Sequence, residues 1–529
     1  MNTFQTSEFY PIFQKLKEKG NMQEKDYQID GISWAIKNET TTLPYDVKGG
    51  IIADEMGLGK TFQMISVITC HFKRRTLIVL PPILIHQWVG SFIQITGHKP
   101  FVYHSNFVRL NAANSQKLYT SPIVITTYGM LITTKKKPRN ILHSIAWNRI
   151  IYDEAHHLKN KNTAIFKGAL LMHASIKWFI TGTPIQNKLN DLYSLYNLLG
   201  IPRQAYKDKH NKDMIKQTFI LRRTKKDVDI SVQPVQINHI LIETDNMFEM
   251  AISDELHSIL PFYSNIKEKL KNPENPENPE NQEQKEEEDD DEESSEEEEI
   301  NEIVISTNKN SSEISYDTIE QYIPESRLFS KIYNPEENIL PVFMRARQLC
   351  IYPPLFQRII KTNNHLIDKP SDFLTYEKTF LNTHKLDTLV KFITERKDND
   401  NKKIIFCYFK NEINYIYNQL NIINIKTEFI DGRINNTQKN NILSSSPHVL
   451  LLQVQTSCEG LNLQEYSEVY FTSPHWNPAI ENQAIARCHR IGQTKIVEVF
   501  KLITVNPVKS IEQYILDVQK RKKNISKKL

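Results

Sequence analysis

The chain has 529 residues, which is too long for a single core, so we expect at least two large domains. Hydrophobic residues make up 40% of it, enough to bury sizeable cores. No apolar run reaches the roughly 18 residues that a membrane helix needs, and the first twenty residues lack the apolar region of a signal peptide. We therefore expect a soluble intracellular protein with no membrane partner.

The five cysteines are widely separated, and no C-x-x-C pair occurs among them: Cys70, Cys350, Cys407, Cys458 and Cys488. This spacing argues against a disulfide framework and against a structural zinc module. We expect reduced, mostly buried thiols.

The net charge of +4 conceals a strong asymmetry. Residues 271–300 contain 16 Asp or Glu and two Lys, a local net of −14 that leaves +18 on the rest of the chain. A basic body indicates a polyanionic partner, because clustered Lys and Arg release phosphate counterions on binding. A solvated surface of a large protein would look similar.

Apolar runs closed by polar turns alternate with helical patterns in the first half: GGIIADE, TLIVLPP, PIVITTY, RIIYDEA and KWFITGT. The second half repeats this style with KIIFCYF, KTEFIDG, VLLLQVQ, EVYFTSP and VEVFKLI. The pattern is typical of doubly wound, mostly parallel α/β sheets, here in two tandem lobes. We expect boundaries at 1–235 for the first lobe, 236–270 for a linker and second-lobe extension, 271–315 for an insert, and 316–529 for the second lobe.

The insert combines a triple Asn-Pro-Glu repeat with a block of acids. Proline at every third position prevents regular hydrogen bonding and like charges repel, so we expect 271–315 to be disordered. It is either a solvated insert or a segment that competes with DNA for a basic groove or docks a basic partner such as a histone tail. Ser294 and Ser295 precede acids, as acid-directed kinases prefer.

The stretch ADEMGLGKT almost matches the phosphate-loop pattern G-x-x-x-x-G-K-[ST]. It departs at Asp54, where the pattern requires glycine. A strand candidate precedes the stretch and a helical pattern follows it, which is the context that a phosphate loop needs. Lys60 is then placed to reach the β and γ phosphates, and the Thr61 hydroxyl to bind Mg²⁺.

The stretch RIIYDEAHHLKN delivers Asp153 and Glu154 at the carboxyl end of an apolar strand, where α/β sheets bind ligands. Asp153 suits a Mg²⁺ site, and Glu154 suits the activation of an attacking water. His156 and His157 lack the spacing of zinc ligands. We expect His156 to couple the hydrolytic site to a moving element.

Five motifs occur in a fixed order: DEMGLGKT, DEAHHLKN, TGTPIQNKLNDLYSLYNLL, FILRRTKKDV and WNPAIENQAIARCHRIGQTK. With them the chain resembles the Swi/Snf-type ATPases of helicase superfamily two, from Tyr27 to about Lys523. The last motif resembles the branch whose members often carry a RING finger between the lobes. The resemblance implies two RecA-like lobes, ATP and Mg²⁺ in the cleft between them, and double-stranded DNA across both.

The resemblance also implies site residues, which are assigned motif by motif. YQIDGISW implies that Gln28 reads the adenine edge, with a buried polar glutamine as the alternative. The nucleotide loop comprises Glu55, Met56, Gly57, Leu58, Gly59, Lys60 and Thr61. TGTP resembles the motif that links hydrolysis to lobe movement, through Thr181, Gly182 and Thr183.

DNA contacts are implied for segments of both lobes. PPILIHQW with Trp88 and ITTYGML with Thr126 and Thr127 resemble segments that track a DNA strand, without reading bases. In the second lobe, Trp476 and Asn477 either face the DNA path or pack the lobe.

Gln483, Arg487 and Arg490 follow one another at i, i+4 and i+7, a spacing that places them on one face of a helix. Guanidiniums supplied by the second lobe would stabilise the charge of phosphoryl transfer, so catalysis would require the lobes to close.

Two departures from the family matter. TSCEGLNL has Ser457 and Cys458 where the family usually has a glycine pair, so the backbone of this DNA-contacting loop is less free. No RING cysteines occur between the lobes, and ubiquitin-ligase activity is not implied.

The basic tail QKRKKNISKKL suits a nuclear signal or a DNA contact.

We therefore expect a DNA-stimulated ATPase that translocates on duplex DNA and remodels DNA-bound proteins, such as histones or transcription and repair factors, without strand separation. The alternatives are a strand-separating helicase and a catalytically inactive DNA-binding scaffold. The expected compartment is the nucleus, or a viral factory if the source is a large DNA virus.

Overall fold

The computed structural model describes residues 5–20, 23–133, 140–185, 189–228, 230, 233–243, 246–259, 300–306, 319, 321–333, 340–454, 461, 463–490, 492–506 and 510–527. Within these ranges the chain forms two α/β lobes, each built on a sheet of seven parallel strands. Helices cover both faces of the first sheet. The two-lobe α/β prediction is confirmed.

The first sheet has the strand order β3-β4-β2-β5-β6-β1-β7. Its strands are β1 (Gly49–Ile52), β2 (Thr76–Leu80), β3 (Phe101–Val102), β4 (Ile123–Thr127), β5 (Trp147–Asp153), β6 (Ala174–Ile180) and β7 (Ile220–Leu221). Five of them were predicted from the apolar runs, whereas β3 and β7 have two residues each and are too short to show a pattern.

The central strands of this sheet are buried on both faces, so they read as continuous apolar runs rather than as alternating ones. Successive residues belong to different cores. Ile51 and Leu77 pack in the cluster on one face, and Ile52 and Ile78 pack in the cluster on the other. The parallel ladder brings the carboxyl ends of β1, β5 and β6 to one edge, where the candidate site lies.

The second sheet has the order β11-β12-β10-β13-β14-β8-β9. Its strands are β8 (Val235–Glu243), β9 (Ile300–Ser306), β10 (Lys402–Cys407), β11 (Thr427–Ile430), β12 (Val449–Gln453), β13 (Tyr466–Phe471) and β14 (Val497–Val505). One large apolar cluster surrounds the central strands.

The helices of the first lobe are Tyr10–Gly20, Asp26–Thr40, Lys60–Cys70, Ile85–Thr96, Ala112–Thr120, Ile141–Ser144, Ala164–Leu170, Leu189–Leu199, Arg203–Lys207 and Lys212–Phe219. Those of the second lobe are Met247–Ser258, Leu328–Ile332, Leu340–Ile351, Gln357–Asn363, Pro370–Thr379, His384–Glu395, Lys410–Ile422, Asn436–Ser445, Pro478–Ile485 and Ile511–Lys527. None of the described helices has the length and apolarity to cross a membrane.

Strands β8 and β9 bear on the predicted boundaries. β8 pairs with β14 over nine residues, so the second-lobe sheet already includes Val235–Glu243, which overlaps the segment 236–270 expected to be a linker and second-lobe extension. β9 lies inside the segment predicted to be disordered, yet it pairs with β8 from Ile300 to Ser306. The short apolar run of this strand, INEIVIS, directly follows the acidic block, and it was therefore assigned to the insert. The remainder of the 271–315 insert, with Ser294 and Ser295, lies outside the described residues.

Candidate nucleotide site between the two lobes

The phosphate-loop candidate joins β1 to the helix Lys60–Cys70. Its two glycines adopt left-handed backbone conformations, with φ of +95° at Gly57 and +80° at Gly59, which side chains disfavour. Gly59 is the N-cap of the helix, so no side chain covers the helix N-terminus there. Backbone N–H groups and the positive end of the helix dipole therefore form a site suited to phosphate.

Asp54, the residue that breaks the strict phosphate-loop pattern, anchors this loop. Its carboxylate is fully buried and forms an ion pair with Arg223, whose Nε lies 3.0 Å from Oδ1. Gln63 of the following helix donates to Oδ2 at 3.1 Å. The loop is thus held from two sides, and a glycine at position 54 could not provide these contacts.

Lys60 points into the loop. Its Nζ donates to the backbone oxygens of Asp54 at 2.6 Å and Glu55 at 3.2 Å. Burial lowers the pKa of Lys60, while the negative charges of Glu154, Asp54 and Asp153 oppose that shift. A cation held among carboxylates and bound to backbone oxygens is suited to receive phosphate.

Gln28 lies against the same loop. Its Nε2 donates to the backbone oxygen of Leu58 at 3.2 Å, and a Cβ added to Gly59 would lie 2.5 Å from that nitrogen. The side chain is 9% exposed. The glutamine predicted to read adenine is therefore next to the phosphate loop, and its contact with the base stays a prediction.

Asp153 closes β5 opposite the loop, and two residues of neighbouring segments hold it. Trp88 Nε1 donates to Oδ2 at 2.6 Å, and the Tyr128 hydroxyl donates to the backbone oxygen of Asp153 at 2.7 Å. Burial, and after it the negative charge of Glu154, raises the pKa of Asp153. The site therefore holds a carboxylate that lacks a full counter-charge.

Glu154 has a left-handed backbone with φ of +50°, which costs a residue with a side chain about 1 kcal/mol or more. His156 Nδ1 lies 3.3 Å from Glu154 Oε2. Burial opposes ionisation of Glu154, but His156, Lys60 and Arg487 outweigh it and lower its pKa. His156 thus contacts the candidate catalytic carboxylate, as its predicted coupling role requires.

The donors at this edge fit a hard divalent cation. Asp153 and Glu154 supply carboxylate oxygens, and Thr61 supplies a hydroxyl in the first turn of the helix that follows the loop. Mg²⁺ is commonly held by one or two carboxylates together with phosphates and water. In the described part of the chain, no three His, Cys, Asp or Glu side chains group into a metal cluster.

The second-lobe arginines do not share a helix, and this prediction is wrong. The helix Pro478–Ile485 contains Gln483 and then ends, and the chain continues in turns through Arg487 and Arg490. The Arg487 N–H donates to Ala484 O, three residues back, instead of continuing the helical ladder. Gln483, Arg487 and Arg490 keep the i, i+4, i+7 spacing in the sequence, but they do not lie on one face of a helix.

The turn nevertheless brings arginine to the first-lobe site. The positive charge of Arg487 lowers the pKa of both Lys60 and Glu154, so this second-lobe residue lies close enough to the phosphate loop to act on its charged groups. Burial, and after it Arg487, lowers the pKa of Arg490 to about 10. The Gln483 Nε2 is buried and has no hydrogen-bond partner among the described residues.

The predicted coupling motif adjoins the phosphate loop. The backbone N–H of Thr181 donates to Ile52 O at 3.0 Å, and that of Thr183 to the Thr181 hydroxyl at 3.2 Å. A Cβ on Gly182 would lie 2.9 Å from Met56 Cγ and 3.5 Å from Lys60 Nζ. This turn therefore lies against the phosphate loop, and its coupling role stays a prediction.

Four side chains predicted to contact DNA are buried or occupied elsewhere. Trp88 is 1% exposed and binds Asp153, and Thr126 is fully buried with its hydroxyl donating to Tyr103 O at 2.9 Å. Thr127 is 2% exposed. The Asn477 side chain caps the helix that follows it, accepting from Ala479 N at 3.1 Å. These side chains are turned inward by their positions on a packed helix, a buried strand and a helix cap. A contact of these segments with DNA through backbone groups stays a prediction.

Trp476 packs the second lobe rather than presenting an open face. Its ring makes edge contacts with Phe343 at 5.2 Å and Tyr514 at 6.2 Å between ring centroids. Packing, one of the two alternatives left open by the sequence, is therefore observed, and a contact of the partly exposed ring with DNA stays a prediction. Ser457 and Cys458 lie outside the described residues, so their DNA contact stays a prediction.

Two basic residues of FILRRTKKDV belong to the site although sequence reasoning gave them no role. Arg223 pairs with Asp54, and Lys225 Nζ lies 3.3 Å from Glu55 Oε1. Complementary charge could have indicated these contacts from the sequence. The phosphate loop has two adjacent acidic residues, Asp54 and Glu55, and the later motif has two basic residues two positions apart, Arg223 and Lys225.

Two parallel-sheet lobes with a phosphate loop, paired carboxylates and facing arginines define the helicase-like class of nucleotide-binding proteins. Comparison with protein families agrees: residues 27–252 match the SNF2-related domain, and residues 384–492 match the helicase conserved C-terminal domain. The chain therefore combines an SNF2-related domain with a helicase conserved C-terminal domain.

Similar curated proteins include the lymphoid-specific helicase of Homo sapiens, which is 26% identical over 95% of this chain and 62% of its own length. The DNA repair protein RAD5 of Candida albicans is 25% identical over 96% of this chain and 58% of its own length. This chain thus spans less than two thirds of either relative. Among solved structures, the Sulfolobus solfataricus SWI2/SNF2 ATPase core in complex with dsDNA matches with 22% identity, a TM-score of 0.35, and coverage of 91% of this chain and 88% of that one.

Proposed function

We propose that the protein is a DNA-stimulated ATPase that translocates on double-stranded DNA and remodels or displaces DNA-bound proteins without separating the strands. The observation that carries the proposal is the composite site. The charge of Arg487 in the second lobe lowers the pKa of Lys60 and Glu154 in the first, and Lys225 Nζ of the first lobe lies 3.3 Å from His489 Nδ1 of the second, so both lobes contribute groups to one site. Such a site converts nucleotide turnover into lobe movement.

Lys60 and the loop residues Glu55 to Thr61 bind the phosphates of ATP, and Gln28 contacts the base. Asp153 and Thr61 hold Mg²⁺, with Trp88 fixing the Asp153 carboxylate. The bound ion supplies charge neutralisation for phosphoryl transfer. These residues bind and orient the nucleotide before any chemistry occurs.

Glu154 accepts the proton of the attacking water, and His156 orients this carboxylate. Arg487 and Arg490 stabilise the charge that develops on the γ-phosphoryl oxygens. Gln483 donates from its buried Nε2, which has no hydrogen-bond partner in the described part of the chain, to the same group or to the water. Thr181, Gly182 and Thr183 pass the change at the phosphates to the lobe interface.

The basic body of the chain supports a DNA partner, since residues outside 271–300 carry a net +18. We also propose that the acidic insert binds a basic partner, such as histones or transcription and repair proteins, or competes with DNA. The basic C-terminal tail supports a nuclear location, or a viral factory for a viral source.

ATPase rates with duplex DNA, single-stranded DNA, RNA and nucleosomes, measured side by side, test the proposal. The expected result is stimulation by duplex DNA, together with displacement of a third strand from a triplex and no unwinding of a plain duplex. Unwinding would instead identify a strand-separating helicase. ATP turnover that duplex DNA leaves unchanged would overturn the proposal, and an absence of turnover would indicate an inactive scaffold.

A further inference from the structure

The phosphate loop and the segment after β7 run side by side. Ala53 N donates to Leu221 O at 2.7 Å, and Glu55 N donates to Arg223 O at 2.8 Å. The Lys225 N–H then donates to the Glu55 carboxylate at 2.8 Å. This ladder extends the pairing of β1 with β7 beyond the sheet, so the position of Lys225 is fixed relative to the phosphate loop.

The Lys225 side chain leaves this ladder and crosses to the second lobe. Its Nζ lies 3.3 Å from Glu55 Oε1, 3.3 Å from His489 Nδ1 and 3.5 Å from His489 O. Lys225 is only 8% exposed. A buried ammonium is costly unless paired, and here it is paired with one group from each lobe.

The histidine is set up to accept this contact. His489 Nε2 lies 2.7 Å from Gln233 O, which accepts a hydrogen bond and so leaves Nδ1 of the neutral ring as the acceptor for the ammonium. Burial, and after it the charge of Lys225, lowers the pKa of His489, which keeps the ring neutral. Glu55 is the opposing negative group in this cluster.

His489 occupies the turn between Arg487 and Arg490. A contact that fixes His489 therefore fixes the backbone that carries both guanidiniums, and the charge of Arg487 lowers the pKa of Lys60 and Glu154. A misplacement of about 1 Å at such a site lowers the rate severely, because the transition-state charge is stabilised only by groups already in place.

We propose that Lys225 is a positioning residue of the hydrolytic site: paired with Glu55 of the phosphate loop, it holds His489 and thereby sets the second-lobe arginines against the nucleotide. It acts through His489 rather than by touching the reacting atoms. The effect of Lys225 on hydrolysis rests on the proposed ATPase function. The contact between Lys225 and His489 does not depend on that function.

The kinetic test compares Lys225→Met, Lys225→Arg and Lys226→Met in the full chain. Lys226 is the exposed neighbour and serves as the matched control. Lys225→Met is expected to lower kcat about ten-fold or more while KM for ATP changes less than about two-fold. Lys225→Arg should restore most of kcat, and Lys226→Met should behave as wild type. A loss confined to KM, or no loss, would overturn the proposal.

The structural test requires no turnover. Acetylation rates of individual lysines, followed by mass spectrometry, should show Lys225 reacting more slowly than Lys226 in the wild type. His489→Ala should raise the Lys225 rate several-fold and leave Lys226 unchanged. Equal rates for Lys225 in both proteins would refute the contact. If the wild type hydrolysed no ATP, the proposed function would fail while this measurement would still decide the contact.

Discussion

Trp88 donates its indole N–H to Asp153 Oδ2 at 2.6 Å, inside the first lobe. The contact joins the segment PPILIHQW, which was expected to track DNA, to the carboxylate expected to hold Mg²⁺. The Trp88 indole thus supports the aspartate that we propose as a Mg²⁺ ligand. In metal sites generally, mutation of such a supporting residue changes metal affinity or activity by about 10- to 100-fold.

Trp88→Phe should raise the Mg²⁺ concentration needed for half-maximal ATPase activity, by about ten-fold, because the carboxylate loses its buried donor. Magnesium-dependent binding of a fluorescent ATP analogue provides a second readout. Trp147→Phe is the matched control, since Trp147 is equally buried and donates to Leu142 O, away from the site. Equal magnesium dependence in both variants would contradict this role.

Asp54→Gly would create the strict phosphate-loop pattern and yet should impair the protein. Arg223 would be left partly buried without its carboxylate, which should cost about 3 kcal/mol of unfolding free energy. Chemical denaturation of the first lobe measures this loss. In the double variant Asp54→Gly/Arg223→Met, part of the loss should be recovered, because no unpaired charge remains. Undiminished stability in Asp54→Gly would show that the ion pair has no anchoring role.

Glu154→Gln should reduce ATP turnover by more than about a hundred-fold and leave duplex DNA binding nearly unchanged, because the amide cannot accept the proton of water. Lys60→Ala should also abolish turnover, but by weakening nucleotide binding. Comparing ATP affinity in the two variants separates these roles. Glu18→Gln, at an exposed site, is the control. Retained turnover in Glu154→Gln would remove it as the general base.

Acid should destabilise the second lobe through His475. Burial, and after it the charge of Arg347, lowers the pKa of His475 to about 4 in the folded state, and its Nδ1 accepts a hydrogen bond from Asn477 N. The unfolded state, with a pKa near 6.5, binds the proton first as pH falls. The contribution of neutral His475 to the free energy of unfolding is therefore complete above about pH 6.5 and is lost as the pH falls towards 4. The loss is on the order of 2 kcal/mol.

Denaturant unfolding at several pH values measures this effect. His475→Gln should flatten the pH dependence between 6.5 and 4, whereas His365→Gln, at an exposed second-lobe position, should leave it as in the wild type. An unchanged slope in His475→Gln would mean that other groups cause the acid sensitivity.

Deletion of residues 271–299 should raise duplex DNA affinity at low salt, since it removes a net charge of −14 and leaves the strand from Ile300 intact. The advantage should shrink as salt is raised, because added ions screen the acidic block. Filter binding or fluorescence anisotropy over a salt series checks it. Equal affinity at low salt would eliminate competition between the insert and DNA.

The local features of this protein could be predicted from its sequence. Continuous apolar runs specify buried parallel strands, and glycines at a strand-to-helix junction specify a phosphate loop, because both depend on near neighbours along the chain. The ten predicted strands and the position of the paired carboxylates at the end of β5 belong to this group. The helix predicted through Arg487 is the exception, since spacing alone does not reveal where a helix ends.

Only the tertiary structure decided which distant groups meet. Asp54 and Arg223 are 169 residues apart, and Lys225 and His489 are 264 apart, so no local pattern indicates that they touch. The sequence predicted that Trp88 and Thr126 contact DNA, but in the folded first lobe both side chains are buried. The burial of a side chain and its choice of partner depend on how helices and strands pack in the folded protein. The pKa values and contacts of the cleft residues therefore depend on packing more than on any single motif.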